Sequence, residues 1–337
     1  MNKLTATVII PAYNAQDTID FCLDALIKQT SLDFNLEILV VDDGSTDATV
    51  ENIKSFQKQK LPENISFSLL LQEKNQGPAA ARNRGAEEAK GDVLLFTDSD
   101  CIPRLDWVSE MLLPFQSEDV SAVKGAYRTQ QPELVARFAQ AEFESRYRLL
   151  EKKDKIDVVF TYAAAIKKTV FLKIGGFDTS FPKADNEDTD LSYKIAKDHT
   201  IIFNPRAIVY HRHPASLKEY LLKKFSRGYW RMYVYRSFPE KAVQDSYTPQ
   251  SLKLQIALAY LLLISLILAL VIPSLQYLVG LIVIIFVITV IPFVSQLKSR
   301  NLDLLFTAPL FILLRAFVMG AGIIKAIPMF FGFGLRT

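Results

Sequence analysis

The first hundred residues alternate short apolar runs with stretches of helical spacing, and that alternation confines the chain to few folds. Ala6 to Ile10, Leu36 to Val41, Ile65 to Leu71 and Val93 to Phe96 have the length of buried strands and are too short for helices. Between them, Asp17 to Gln29 carries Ile19, Leu23, Leu26 and Ile27 at helical spacing, and a second helix is expected to about Lys60. Gly77-Pro78 opens a third, with proline in its first turn. Strands alternating with helices form a parallel sheet with right-handed crossovers, so the expected fold class is α/β.

The chain of 337 residues is long enough for a second domain, and the composition changes along it. Leu254 to Ile272 and Leu278 to Val294 are almost wholly apolar, and each is long enough to cross a hydrocarbon core. Lys253 before them and Lys298 and Arg300 after them put both flanks on the cytosolic side. Leu302 to Phe331 is also apolar, but Arg315, Lys325, Pro309 and Pro328 interrupt it, which favours an interfacial or re-entrant element over a clean third span. The net charge of +3 does not indicate a nucleic-acid binder. The two cysteines, Cys22 and Cys101, are too few for a disulfide framework, and a cytosolic, reducing location fits. The N-terminus lacks the apolar core of a signal peptide, and no zinc spacing, G-x-G-x-x-G or Walker loop occurs.

The chemistry gathers at strand ends. Asp98-Ser99-Asp100 follows the apolar run Val93 to Phe96, and in extended backbone residues two apart share a face. Two hard oxygen ligands open to solvent suit Mg²⁺ or Mn²⁺ shared with substrate phosphates. In open α/β sheets ligands bind beyond the carboxyl ends of the strands, where this pair falls. The competing reading is an Asx turn or N-cap before a helix near Arg104. Tyr13-Asn14 and Asp42-Asp43 fall on the same edge, and a carboxylate there suits a base imide or ribose hydroxyls. Arg82 and Arg84 approach a phosphate or lie on a solvated helix face. Glu187 and Asp188, adjacent in a turn, raise one another's pKa, which suits a general base, while Asp190 complements the start of a helix to about Lys197. His211, at the end of the run Ile201 to Tyr210, completes a metal site, touches a diphosphate, or forms a surface pair with His213.

Val8-Ile9-Ile10-Pro11-Ala12-Tyr13-Asn14, Val41-Asp42-Asp43-Gly44-Ser45-Thr46-Asp47, Asn75-Gln76-Gly77-Pro78-Ala79-Ala80-Ala81-Arg82-Asn83 and Thr97-Asp98-Ser99-Asp100 together resemble the motif series of family 2 glycosyltransferases, which have the GT-A fold. The resemblance covers roughly the first 235 residues. It implies that Pro11, Tyr13, Asn14 and Asp42 hold a nucleotide's base and ribose, with Asp43, Arg82 and Ser99 also on the donor side. It implies that Asp98 and Asp100 flank the sugar diphosphate, Asp100 being the direct ligand of Mn²⁺ or Mg²⁺ beside Asp98 and His211. Gly176-Phe177-Asp178 and Asp190 then line the acceptor side, and Asp188 resembles the catalytic base, with Glu187 the alternative. Two departures stand out: Cys101 replaces a further acidic residue, and Thr161-Tyr162-Ala163-Ala164-Ala165 replaces a stretch that often holds asparagine.

The expected organisation is a GT-A domain over 1–235, an interfacial linker over 236–252, a two-helix membrane hairpin over 253–297, and an interfacial, re-entrant or third membrane helix over 302–331. Basic and aromatic residues interleave from Lys223 to Tyr235 and read as a membrane-interface collar. Pro132 to Leu150 is amphipathic and basic, suiting either an anionic membrane surface or solvent. The expected function is metal-dependent, inverting transfer of one sugar from a nucleotide-sugar, more readily UDP- than GDP-linked. The acceptor is a lipid-linked saccharide, a polyprenyl phosphate or a glycan in envelope or extracellular polysaccharide synthesis, with Arg315 facing an anionic lipid head. The expected location is a bacterial inner or plasma membrane, multi-pass, with the catalytic domain cytosolic. A processive synthase is disfavoured because Arg227-Gly228-Tyr229-Trp230 lacks the glutamine of Q-x-x-R-W; a non-catalytic nucleotide-sugar-binding scaffold is the alternative of another class.

Overall fold

The structure, a computed structural model, describes residues 5–30, 35–181, 185–297 and 302–331. In chain order the elements are β1 (Ala6–Ala12), α1 (Ile19–Ile27), β2 (Leu36–Asp42), α2 (Thr49–Gln57), β3 (Ile65–Leu71), α3 (Pro78–Glu88), β4 (Val93–Phe96), β5 (Ile102–Pro103), α4 (Trp107–Leu112), β6 (Val120–Arg128) and α5 (Leu134–Leu150). There follow β7 (Ala164–Lys167), α6 (Lys168–Ile174), α7 (Glu187–Asp198), β8 (Thr200–Tyr210), α8 (Leu217–Ser237), α9 (Pro239–Val243), α10 (Gln250–Ala269), α11 (Gln276–Val294) and α12 (Leu302–Ala326). They form two compact units, 1–130 with 150–212, and 131–149 with 213–337.

The first unit is built on one eight-stranded sheet in the order β3-β2-β1-β4-β7-β6-β8-β5. β3, β2, β1 and β4 are parallel, as the alternation of strands and helices requires. β7 runs antiparallel to both β4 and β6, and β5 antiparallel to β8, so the sheet is mostly parallel. Val8, Ile9, Ile10, Ile38, Val40, Leu94 and Leu95 are fully buried, which is why these runs lack alternation. β1 pairs with β2 and β4, with Ala12 opposite Asp42 and Ile9 opposite Phe96, so the loops after Ala12, Asp42 and Phe96 leave the same end of the sheet. At Gly44 the backbone is left-handed (φ +75°), and a Cβ there would stand 2.9 Å from the Asn75 amide. Glycine lets the loop after β2 meet the loop before α3.

The second unit is helical. Phe138 of α5 is its pivot, with ring centroids 5.7 Å from Tyr220, 5.5 Å from Phe293 and 5.1 Å from Phe311. Leu258, Ile282, Phe286, Leu304 and Ile312 complete that core. α8 and α12 approach through glycine: a Cβ on Gly228 would strike the Met319 carbonyl, and one on Gly322 the Phe225 carbonyl. Small residues let backbones approach this closely. Gly228, which the sequence sets beside a synthase-like motif, is thus a packing residue.

Three helices are long and apolar enough to cross a membrane: Gln250–Ala269, Pro273–Val294 and Leu302–Met329. α12 continues unbroken through Pro309. Within the helical unit Arg315 faces protein. It is buried and donates to Glu142 and, at 2.5 Å, to Gln255 Oε1, so it is not free to face a lipid head. Glu142 also accepts from Lys224 Nζ (2.7 Å) and the Tyr220 hydroxyl (2.8 Å). Burial opposes its ionisation, but Lys224, Arg315 and Arg146 outweigh that and hold the carboxyl well below the usual range. Arg146 is buried too, so α5 is not a uniformly surface-lying basic helix. Met1 to Leu4, Lys298 and Arg300, on which the leader and orientation expectations rest, lie outside the described residues.

Candidate active site

Asp98 and Asp100 emerge from the end of β4, half-buried and exposed respectively. Neither caps a helix: the chain turns into β5, and α4 starts only after Asp106. One oxygen of each carboxylate and the Cys101 sulfur lie within 4.8 Å of one another. His211, just past β8, brings Nε2 to 3.3 Å from Asp100 Oδ2. Two carboxylates and an imidazole fit Mg²⁺ or Mn²⁺ as a donor set, being hard oxygens supplemented by one nitrogen. The Cys101 thiol does not add to it as a thiolate. It is fully buried, and burial with the charges of Asp98 and Asp100 pushes its pKa well above the ordinary value.

Arg82 lies in the second turn of α3, and the sequence leaves it on either a phosphate or a solvated face. The structure buries it between two carboxylates. It is 2 % exposed, with Nη2 2.6 Å from Asp98 Oδ1 and Nη1 3.1 Å from Glu187 Oε1. Phe177 lies under the guanidinium at 5.7 Å, and the buried Nε has no hydrogen-bond partner among the described residues. Arg82 therefore ties the carboxylate after β4 to the start of α7. Arg84 turns away and donates to the Leu71 carbonyl at 2.8 Å.

Glu187 and Asp188 form the first turn of α7, after Asn186 in a left-handed conformation (φ 72°), and not a free turn as expected. Acidic residues there are favoured by the helix dipole. Glu187 is buried, and its pKa is raised to about 7, first by burial and then by Asp188, against the pull of Arg82. Asp188 is half-buried and nearer to solvent. Asp190 is paired with Lys194 at 2.6 Å.

The two aspartates after β2 divide their work. Asp43 accepts from the Gln72 side chain (2.6 Å) and the Gln76 and Gly77 amides (both 2.8 Å), bracing the entry to α3. Asp42 accepts from the Ser45 amide through Oδ2, while its buried Oδ1 has no partner among the described residues. An orphaned carboxylate oxygen at the sheet edge fits a ligand's N–H or hydroxyl. Asn14, at φ 48°, accepts from the Thr46 amide at 2.9 Å and so joins the loop after β1 to that after β2. Tyr13 beside it is 48 % exposed, and Pro11 is half-buried within β1. Ser99 is half-buried between the two metal-side aspartates.

Gly176 and Phe177 are buried, supporting the site from beneath. A Cβ on Gly176 would stand 2.5 Å from Asn83 Oδ1, which accepts from the Phe177 amide at 2.9 Å. Asp178 accepts from the Ser180 amide at 2.8 Å. Residues 182–184 lie outside the described residues. Sequence reasoning passed over Asn83, Gln72 and a buried lysine, Lys124. A lysine inside the mostly apolar run Val120 to Tyr127 is the signal that points to the last.

A profile described as Glycosyl transferase family 2 matches residues 7–175, half of the chain, and spans the loops carrying Asp42 and Asp98. The chain belongs to glycosyl transferase family 2. Among curated relatives, glycosyltransferase AglE of Haloferax volcanii is 28% identical over 201 residues, covering 58% of this chain and 65% of AglE. The chain thus spans just under two thirds of that relative, and smaller shares of others that it matches. The mannosyltransferase PcManGT from Pyrobaculum calidifontis, solved in complex with GDP-Man and Mn²⁺, superposes with a TM-score of 0.63 at 19% identity. That likeness covers 97% of this chain and 88% of the mannosyltransferase. GalNAc-T7, solved with UDP, GalNAc and Mn²⁺, gives a TM-score of 0.51 at 21% identity, over 75% of this chain and 53% of its own. These likenesses establish the fold of the family 2 chain: a GT-A-like α/β domain followed by C-terminal apolar helices.

Proposed function

We propose that the chain transfers one sugar, with inversion, from a nucleotide-sugar, more readily UDP- than GDP-linked, to an acceptor hydroxyl or phosphate carried by a membrane lipid or saccharide. The observation that carries this is the meeting of Asp98, Asp100 and His211 at the sheet edge, with Asp98 tied through Arg82 to the helix bearing Asp188. Asp42, Asn14, Tyr13 and Pro11 hold the base and ribose, and Ser99 lies with Asp98 along the diphosphate. Asp98, Asp100 and His211 would hold a divalent cation, which supplies charge neutralisation for the departing diphosphate. The Mn²⁺ complexes of the two structural neighbours support that requirement.

With a hydroxyl acceptor, Asp188 takes the proton as the oxygen attacks the anomeric carbon from the face opposite the diphosphate. The new C–O bond forms as the bond to the diphosphate breaks, leaving the nucleoside diphosphate and a protonated Asp188. Its partial exposure suits an acid that must meet an acceptor and return its proton to water. Glu187 stays behind, against Arg82. The three apolar helices suit a multi-pass location in a bacterial inner or plasma membrane, with the catalytic domain of 1–235 cytosolic and 236–252 an interfacial linker. An acceptor from envelope or extracellular polysaccharide synthesis would then lie near the site.

The test is nucleotide release by the full chain in detergent, over UDP-, GDP- and dTDP-sugars with Mn²⁺ or Mg²⁺, read beside donor binding by calorimetry. Metal-dependent release or binding of one donor, weakened in Asp100→Ala, is expected. Asp188→Asn should bind the donor as the wild type does and lose turnover. Binding of no donor, with or without metal, would overturn the reading.

A further inference from the structure

Lys124 is the fourth interior residue of a nearly all-buried strand, β6, and is itself 0 % exposed. Its Nζ donates to the Gly125 carbonyl at 3.2 Å and to the Tyr162 hydroxyl. Aromatic rings enclose the amine, with centroids 4.7 Å away at Phe160, 4.4 Å at Tyr162 and 5.9 Å at Phe203. Burial drives its pKa well below the ordinary lysine value, against the field of Asp188. Taking an amine out of water costs several kcal/mol (on the order of 2–7 for a polar group), and a methionine of similar length would fill the space without that cost. A lysine there offers a hydrogen bond that an apolar side chain does not.

What it supplies is visible in the rings above it. The Tyr162 ring stacks on Tyr127 with centroids 3.5 Å apart and planes at 17°. Tyr127 stacks in turn on His211 at 4.7 Å and 26°. His211 ends the column with Nε2 3.3 Å from Asp100 Oδ2. The column is held on both sides: the Thr97 hydroxyl donates to the Tyr162 carbonyl at 3.1 Å, and the His211 amide donates to the Arg128 carbonyl at 3.0 Å. Rings in contact fix one another's planes, and a hydrogen bond to the lowest fixes its tilt. The short stretch Thr161-Tyr162-Ala163 supplies the ring on which the column stands.

We propose that Lys124 is a positioning residue for the carboxylate site: through Tyr162 and Tyr127 it sets the plane of His211 against Asp100, and thereby the affinity of that site for a divalent cation. The inference rests on the metal-dependent reading above and adds residues that no sequence motif marks. Outer partners of metal ligands carry about 10–100-fold in affinity, and the effect expected here is at the lower end, about tenfold.

The experiment is Mn²⁺ titration of the full chain in detergent, with free Mn²⁺ counted by electron paramagnetic resonance and Tm measured alongside. Lys124→Met should bind Mn²⁺ about tenfold more weakly while its Tm holds or rises, because a buried amine has been removed. A residue that merely filled the core would lower Tm and leave Mn²⁺ affinity alone, which is the result that overturns the proposal. Tyr162→Phe keeps the rings and removes only the hydroxyl, so it should shift Mn²⁺ affinity in the same direction even where Lys124→Met fails to fold. Unchanged affinity in Tyr162→Phe would equally refute the column. Tyr127→Leu, which breaks the stack, should weaken binding. If the wild type holds no Mn²⁺ in the absence of a donor, this inference fails while the metal-dependent reading still stands or falls on donor binding; if the variants match the wild type, this inference fails alone.

Discussion

Glu187→Gln separates the two acidic residues at the start of α7. Glu187 is 3 % exposed, with Oε1 3.1 Å from Arg82 Nη1. Its pKa is raised from 4.5 to about 7, by burial first and Asp188 second. The folded chain therefore holds a proton where the unfolded chain has already released it. The stability this contributes is complete below about pH 4.5 and is lost as pH rises through about 7. At 1.36 kcal/mol per pKa unit, the loss amounts to about 3 kcal/mol by pH 8. Glutamine has nearly the same shape, keeps an oxygen for Arg82, and never ionises. The variant should thus match the wild type near pH 5 and exceed it by up to about 3 kcal/mol at pH 8, or about 6–12 °C in Tm for a domain of this size.

The assay is the Tm of both proteins in detergent from pH 5 to pH 8, with chelator present so that no cation contributes. Curves that diverge with rising pH are the expected result. Parallel curves would refute the reasoning, because they would mean that Glu187 ionises as readily folded as unfolded. A second readout tests its role. If Glu187 only steadies Arg82, turnover in Glu187→Gln falls modestly, whereas a loss as deep as that in Asp188→Asn would make Glu187 the base.

In the helical unit, Glu142→Gln removes the carboxylate shared by Arg315 and Lys224 and leaves buried cations uncompensated; a loss of about 3–5 kcal/mol is expected, read as a large fall in Tm in detergent. Gly228→Ala puts a methyl group against the Met319 carbonyl and should cost about 1–3 kcal/mol by forcing α8 from α12. Gly280→Ala in α11, where a Cβ meets nothing within 4 Å, should leave Tm unchanged or raise it.

What the sequence reveals and what it hides follow from how far apart the partners lie. β4 and its two aspartates are legible because an uninterrupted apolar run, a turn and two acids sit within eight residues. The parallel half of the sheet is legible for the same local reason. β5 has only two residues and β7 reads Ala-Ala-Ile-Lys, so neither has enough pattern to announce a strand, and with them the antiparallel part of the sheet is lost. Arg82 reads as either a phosphate contact or a solvated helix residue because one of the two carboxylates that bury it, Glu187, is 105 positions away. Asp42 and Asp43 look equivalent until Gln72, Gln76 and Gly77 claim one of them. Arg315 reads as an unpaired charge in an apolar run only while Glu142 and Gln255, on other helices, are out of view.

Glu142 and Glu187 show why such charges resist local reading. Both are glutamates on helices, both are 3 % exposed, and both touch an arginine. Burial pushes each toward the neutral form, yet they end on opposite sides of the ordinary value. Glu142 has three cations around it, Lys224, Arg315 and Arg146, and is held as a permanent anion. Glu187 shares one guanidinium with Asp98 and has Asp188 as its neighbour, so attraction no longer offsets desolvation. The difference is a count of neighbouring charges, of which Lys224 and Arg315 beside Glu142 come from elements distant in sequence. Its consequence is chemical: the helical unit contains a carboxylate that does not titrate near neutrality, a structural tie. The sheet unit keeps one that does, next to the arginine that holds Asp98.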